Sequence, residues 1–171
     1  WSLPSVGAAR FAAAVVLFAM HVAGALESSS AGLGEVLRVQ AQGQTELEAV
    51  SRAVVAGESG DGAASGVIVS PDGLVMTAAH VTSDPGRTIN LILADGRRVP
   101  CKALGLDKWT DAAMMRIEGA RKDWPHVRLC RDLRLAKAGV WCFALGHPGG
   151  YDSSRGPVLR VGKVLKQTPN G

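Results

Sequence analysis

The sequence has few aromatic residues: four Trp, three Phe and a single Tyr in 171 residues. A core with so few rings must be filled by Val, Leu, Ile, Ala and Met. Cysteine is scarce too. Cys101, Cys130 and Cys142 include no Cys-x-x-Cys pair, which argues against a thiolate zinc site. An odd count leaves at least one thiol without a partner inside this chain. The four histidines, His21, His80, His126 and His147, have no metal-ligand spacing, so neither a metal nor another cofactor is expected. No basic stripe interleaved with aromatics occurs. Pairs such as Arg97-Arg98 and Arg121-Lys122 and a net charge of +4 read as solvated surface, not a nucleic-acid face. There are no internal repeats, and no long helical pattern follows the first quarter of the chain.

What is present is globular. Hydrophobic residues make up 47% and charged residues 20%. Twenty-one glycines among short apolar runs favour a turn-rich β protein. At the N-terminus, Arg10 precedes the apolar run FAAAVVLFAMHVAGA, which closes on Ala23-Gly24-Ala25. That is the small-x-small pattern of a signal peptidase site, so residues 1–25 are expected to be a signal peptide and the protein exported, periplasmic or secreted. The alternatives are an uncleaved anchor and a buried helix. The first residue is Trp1 rather than Met, so the true start is expected upstream.

Residues 26–63 read as a linker and lead-in. Within them ELEAVSRAVVA suits a short helix with Leu47, Val50 and Val54 on one face, or a lead into a first strand at Val54-Val55. From there to residue 171 the rhythm is strand, turn, strand. Pro71-Asp72-Gly73 and Asp95-Gly96 are tight-turn signals, because glycine accepts positive φ. Strands are expected in SGVIVS, LVMTAAH, TINLILA, RRVPCKALGL, DAAMMRI, HVRLC, VWCFALG and VLRVGKVLK. Pro100 marks an edge or a bulge. Cys142, inside an apolar run, is expected to be a small buried residue. The fold class is all-β, an antiparallel barrel or sandwich.

Two residues stand out chemically. His80 follows an apolar strand and the small pair Ala78-Ala79, which leave room for an imidazole at a cleft. Asp111 opens DAAMMRI, and a carboxylate at the mouth of a buried strand is costly unless partnered. A buried Asp can accept from one imidazole nitrogen and fix the tautomer, leaving the other nitrogen to take a proton from a hydroxyl. The remaining candidates are weaker. His147 in LGHPGG is read as a loop residue that could line a cleft, and His126 as exposed. Asp95 and Asp107 are turn acids. Met114 and Met115 are strand core.

In order and spacing, the pieces SGVIVSPDGLVMTAAHV, LILADGRRV, LGLDKWTDAAMMRI, LRLAKAGVWCFALGHPGG and RVGKV resemble the protease domain of the HtrA (Deg) family in the chymotrypsin clan. The resemblance runs from Ala64 to about Val164 and implies a trypsin-like double β-barrel over residues 64–171, its first barrel nearly complete and its second only begun. It implies His80 as general base and Asp111 as the carboxylate that orients it. Val81 stands where vertebrate-type trypsins carry a cysteine, and no Ile-Val-Gly-Gly terminus is present, which favours the HtrA branch. The family's nucleophile lies in a Gly-x-Ser-Gly-Gly turn, and no such motif occurs in this chain; the serine is expected beyond Gly171. Asp152-Ser153-Ser154-Arg155-Gly156-Pro157 echoes it faintly, without glycine on both sides of the serine, and reads as a surface loop.

The expected function is therefore serine endopeptidase activity of the quality-control type in the intact protein, on polypeptide and especially unfolded substrates. These 171 residues alone are expected to be inactive. The alternatives are a non-catalytic protease-fold binding protein and a cysteine-nucleophile relative on the same fold. The resemblance also implies a possible homotrimer and a downstream PDZ domain.

Overall fold

The computed structural model describes residues 44–59, 62–130, 132 and 137–165. The signal-peptide expectation for residues 1–25 and the first part of the linker lie outside the described residues. Helix α1 occupies residues 44–53. Its apolar face is built from Leu47, Val50 and Ala53, with the last two buried. It runs straight into β1 (Val54–Ser59), so the segment holds both the helix and the first strand.

Seven more strands follow: β2 (Gly62–Ile68), β3 (Leu74–Thr77), β4 (Thr88–Ile92), β5 (Arg98–Asp107), β6 (Ala112–Ile117), β7 (Trp141–Gly146) and β8 (Val158–Lys163). A one-turn helix, α2 (Ala79–Thr82), lies between β3 and β4. The first six strands close into a barrel in the order β1-β2-β3-β6-β5-β4, and β7 and β8 form a separate antiparallel pair. All pairings are antiparallel, so the all-β expectation holds. The barrel takes in β1, which pairs with β2 on one side and β4 on the other. The closed sheet therefore begins within the segment read as linker and lead-in.

Alternation fills the barrel as the pleat requires. On β6, Ala113, Met115 and Ile117 point inward and are buried, while their neighbours are half-exposed. Val54, Val55, Ile68, Val75, Cys101 and Met115 form the fully buried centre. The tight turn after β2 is set by Gly73, whose φ of +83° few side chains adopt. Trp124 covers that end of the barrel: its backbone N–H donates to the Pro71 carbonyl, and its ring lies against the Gly73 backbone.

Several local expectations change. HVRLC does not form a strand. Val127 donates one backbone bond to Ile68, while His126, Arg128, Leu129 and Cys130 are exposed, so no alternating buried face exists to hold a ladder. Pro100 sits on an interior strand rather than an edge. Its carbonyl accepts Glu118 N–H just past the end of β6, so the missing proline N–H falls where pairing has run out. The bulge in β5 comes later, between Ala103 and Gly105. The buried cysteine is Cys101, not Cys142, which is half-buried; Cys130 is exposed, and all three are free thiols. Burial pushes the Cys101 thiol up to about 12, which makes it inert.

Candidate active site

The site forms where β3 and β6 lie side by side. Their register places Thr77 opposite Ala113. The chain beyond Thr77 and the chain before Ala112 therefore emerge at the same end of the barrel. Ala78 keeps extended geometry (φ −83°, ψ 149°), and α2 begins at Ala79. Ala79 is buried, and its N–H donates to the Asp111 carbonyl at 3.1 Å. This bond ties the start of α2 to the chain before β6.

Asp111 is held from its own side. In the turn between β5 and β6 the Asp107 carboxylate accepts the Trp109 N–H at 2.8 Å and the Thr110 hydroxyl at 2.9 Å. Asp111 itself has a φ of +53°, one of two non-glycine residues in the left-handed region among the described residues. Aspartate tolerates that region better than most residues. The conformation turns its carboxylate toward α2.

His80 Nδ1 lies 2.8 Å from Asp111 Oδ2 and 2.9 Å from Oδ1. The His80 backbone N–H donates to Oδ1 at 3.2 Å. An ionised carboxylate can only accept, so Nδ1 carries the proton and Nε2 presents a lone pair. The hydrogen bond from His80 is the main reason the Asp111 carboxyl is held below its ordinary range. Within this chain the His80 and Asp111 side chains are 47% and 53% exposed. In this setting the pair contributes little to stability, because water screens it. What it supplies is a fixed tautomer and ring orientation. That arrangement can accept a proton at Nε2 from a hydroxyl brought within reach.

The other candidates do not join this pair. Ser153 is exposed in the loop between β7 and β8, where Asp152 accepts the Ser154 N–H and hydroxyl and the Arg155 guanidinium. His126 Nδ1 donates to the Trp124 carbonyl at 2.9 Å. His147 departs most from expectation. It is a buried residue, 4% exposed, beside the Tyr151 ring, and burial pushes its proton affinity down, with the Arg155 charge adding to the effect. Two residues that sequence reasoning passed over, Ser65 and Thr77, link strand ends near His80: the Thr77 hydroxyl donates to the Ser65 carbonyl at 2.9 Å. No local signal marks such a bond, because its acceptor is a backbone carbonyl twelve residues away.

A closed six-stranded barrel, the start of a second sheet, and a histidine and an aspartate on adjoining strand ends define a protein of the trypsin-like double-barrel fold. The chain belongs to the trypsin-like peptidase domain family, whose family model matches residues 64–170. Its relatives are of the DegP/HtrA type. It is 39% identical over 103 residues to a protein of Pseudomonas putida (strain GB-1) named as a DegP-like periplasmic serine endoprotease, a match covering 59% of this chain and 21% of the relative. A protein of the same name from Chlamydia pneumoniae is 36% identical over 90 residues, covering 53% of this chain and 18% of the relative. The chain thus spans about a fifth of the length of the curated relatives it matches. The crystal structure of a serine endoprotease from Yersinia pestis superposes with a TM-score of 0.60 at 24% identity, covering 72% of this chain and 44% of that one.

Proposed function

We propose that the intact protein is a serine endopeptidase of the HtrA type in which His80 is the general base and Asp111 its orienting carboxylate. The observation that carries this reading is the 2.8 Å contact from His80 Nδ1 to Asp111, with the same carboxylate also holding the His80 backbone N–H. Nε2 would take the proton of a serine hydroxyl as that oxygen attacks the scissile carbonyl, then deliver it to the leaving amine. Asp111 would stabilise the imidazolium formed in between. The serine is assigned to a Gly-x-Ser-Gly-Gly turn contributed by the second barrel, beyond Gly171, and that turn's backbone N–H groups would form the oxyanion hole. Ser153 is not the nucleophile in this reading.

The substrates would be polypeptides, unfolded ones above all, and the compartment outside the cytoplasm. The apolar run ending at Ala25 and the periplasmic naming of the relatives both favour export. Residues 1–25 would be the signal peptide, with the protease domain beginning by α1. A homotrimer and a downstream PDZ domain remain part of the proposal by family resemblance.

The test is made on the full-length protein. His80→Ala should abolish casein cleavage and fluorophosphonate labelling while the melt stays cooperative. Retained cleavage would sink the assignment of the base. A folded wild-type protein that neither cleaves nor labels would be a non-catalytic binding protein instead.

A further inference from the structure

The segment that carries His80 is tied to the second sheet by one buried serine. Ser65, on β2, is 2% exposed. Its carbonyl oxygen accepts the Thr77 hydroxyl at 2.9 Å, and its hydroxyl oxygen accepts the His147 backbone N–H at 2.8 Å. Thr77 is the last residue of β3, three positions before His80. His147 directly follows β7. The pairing of β2 with β3 ends at Val67 opposite Met76, so the Thr77 side chain continues the connection where the backbone ladder stops. Two close approaches lie beside this link. A Cβ added at Gly150 would lie 3.5 Å from Ala63, and one at Gly96 would lie 3.1 Å from the Tyr151 hydroxyl. The turn after β7 therefore rests on the barrel at three points, and Ser65 makes the directional one.

We propose that Ser65 is a positioning residue: it pins the turn after β7, and the second sheet with it, to the strand end that bears His80. This rests on the protease reading above, in which base and carboxylate come from the first barrel and the nucleophile from the second. The base must then meet a hydroxyl delivered across the junction between the sheets, within hydrogen-bond reach. Apolar contacts hold two sheets together without fixing their offset, because they are non-directional. A hydrogen bond to a buried hydroxyl does fix it, because leaving the His147 N–H unpaired in the interior is costly. Thr77 completes the link by anchoring the same serine to the His80 segment.

The experiment uses the full-length protein, a peptide substrate and a fluorophosphonate probe, well below the melting temperature, with His80→Ala alongside. Ser65→Ala, which removes only the hydroxyl, should lower kcat and the labelling rate by roughly ten- to a hundredfold, the scale of a small misalignment. KM should stay within about twofold, since substrate binding is not what changes. Thr77→Val should act in the same direction, and Thr77→Ser should restore the rate. A kcat within about twofold of wild type in both Ser65→Ala and Thr77→Val would overturn the proposal while leaving the His80 reading intact. So would a loss accounted for entirely by fewer folded, titratable sites. If Ser65→Ala does not fold, Thr77→Val and its Thr77→Ser rescue decide. A His80→Ala protein that still cleaves would overturn the protease reading, and the positioning role with it.

Discussion

Replacing Asp111 with Asn keeps the shape of the site and inverts one of its hydrogen bonds. In the structure Oδ1 accepts the His80 backbone N–H at 3.2 Å and lies 2.9 Å from Nδ1, while Oδ2 lies 2.8 Å from Nδ1. An Asn side chain has one acceptor and one donor group. If its oxygen stays on the His80 backbone N–H, its NH₂ faces Nδ1. A protonated Nδ1 would then have to share the amide oxygen, 2.9 Å away, with the backbone N–H while a donor crowds it at 2.8 Å, so the ring favours carrying its proton on Nε2. If the amide flips, the NH₂ meets the backbone N–H instead, and that contact is lost. The first arrangement removes the lone pair that would act as base. With nothing else disturbed, kcat should fall by about 10⁴-fold, the size of the wrong-tautomer effect in such triads. That corresponds to about 5 kcal/mol of transition-state stabilisation. The assay is peptide cleavage by the full-length Asp111→Asn protein, with nitrogen NMR of the imidazole reading the tautomer. Activity within about tenfold of wild type, or a ring still protonated at Nδ1, would refute the reasoning.

Four further outcomes follow from particular contacts. Met115 is fully buried at the barrel centre, so Met115→Ala should cost about 2–5 kcal/mol in denaturant unfolding. Gly73 has a φ of +83°, and a Cβ there would lie 3.1 Å from Ile117 Cβ, so Gly73→Ala should cost at least about 1 kcal/mol by the same measurement. Asp72 bonds the Ser70 hydroxyl and the Arg116 guanidinium, which lower its folded pKa from 3.8 to about 2. Its contribution is therefore present above about pH 4 and lost as pH falls toward 2. Asp72→Asn should melt below wild type at pH 6, and the gap should close near pH 2; a gap independent of pH would count against the linkage. The 171-residue chain expressed alone should show no fluorophosphonate labelling, and labelling that persists in Ser153→Ala would point to a hydroxyl the reading has missed.

Much of the barrel was legible because its signals are local. Asp72-Gly73 and Asp95-Gly96 turn the chain wherever they occur, since the φ they need is set by the residue itself. The alternation in AAMMRI states which side chains enter the core whichever strand lies beside it. HVRLC shows the limit of such reading. It has β-forming composition, but only Val127 is partly covered, and without an alternating buried face it runs as an irregular segment after Trp124. The sequence also points to the wrong thiol: Cys142 is the one expected to be buried, and Cys101 is the one that is. Cys142 lies in an apolar run and Cys101 beside Lys102, but the position of Cys101 inside the closed barrel seals its thiol.

By itself the sequence determined the strand-and-turn rhythm and the all-β class; its resemblance to a known family singled out His80 and Asp111 as a candidate base and its carboxylate. These depend on residue types and near neighbours. Tertiary structure decided that β3 and β6 are neighbours, which brings His80 within 2.8 Å of Asp111 across 31 positions of chain. It also decided that His147 is buried and that Ser65 joins the two sheets. The physical reason is the same in each case. Strand partners and burial are fixed by how apolar faces close on one another and by which backbone groups find acceptors at a distance. No stretch of neighbouring residues contains that information.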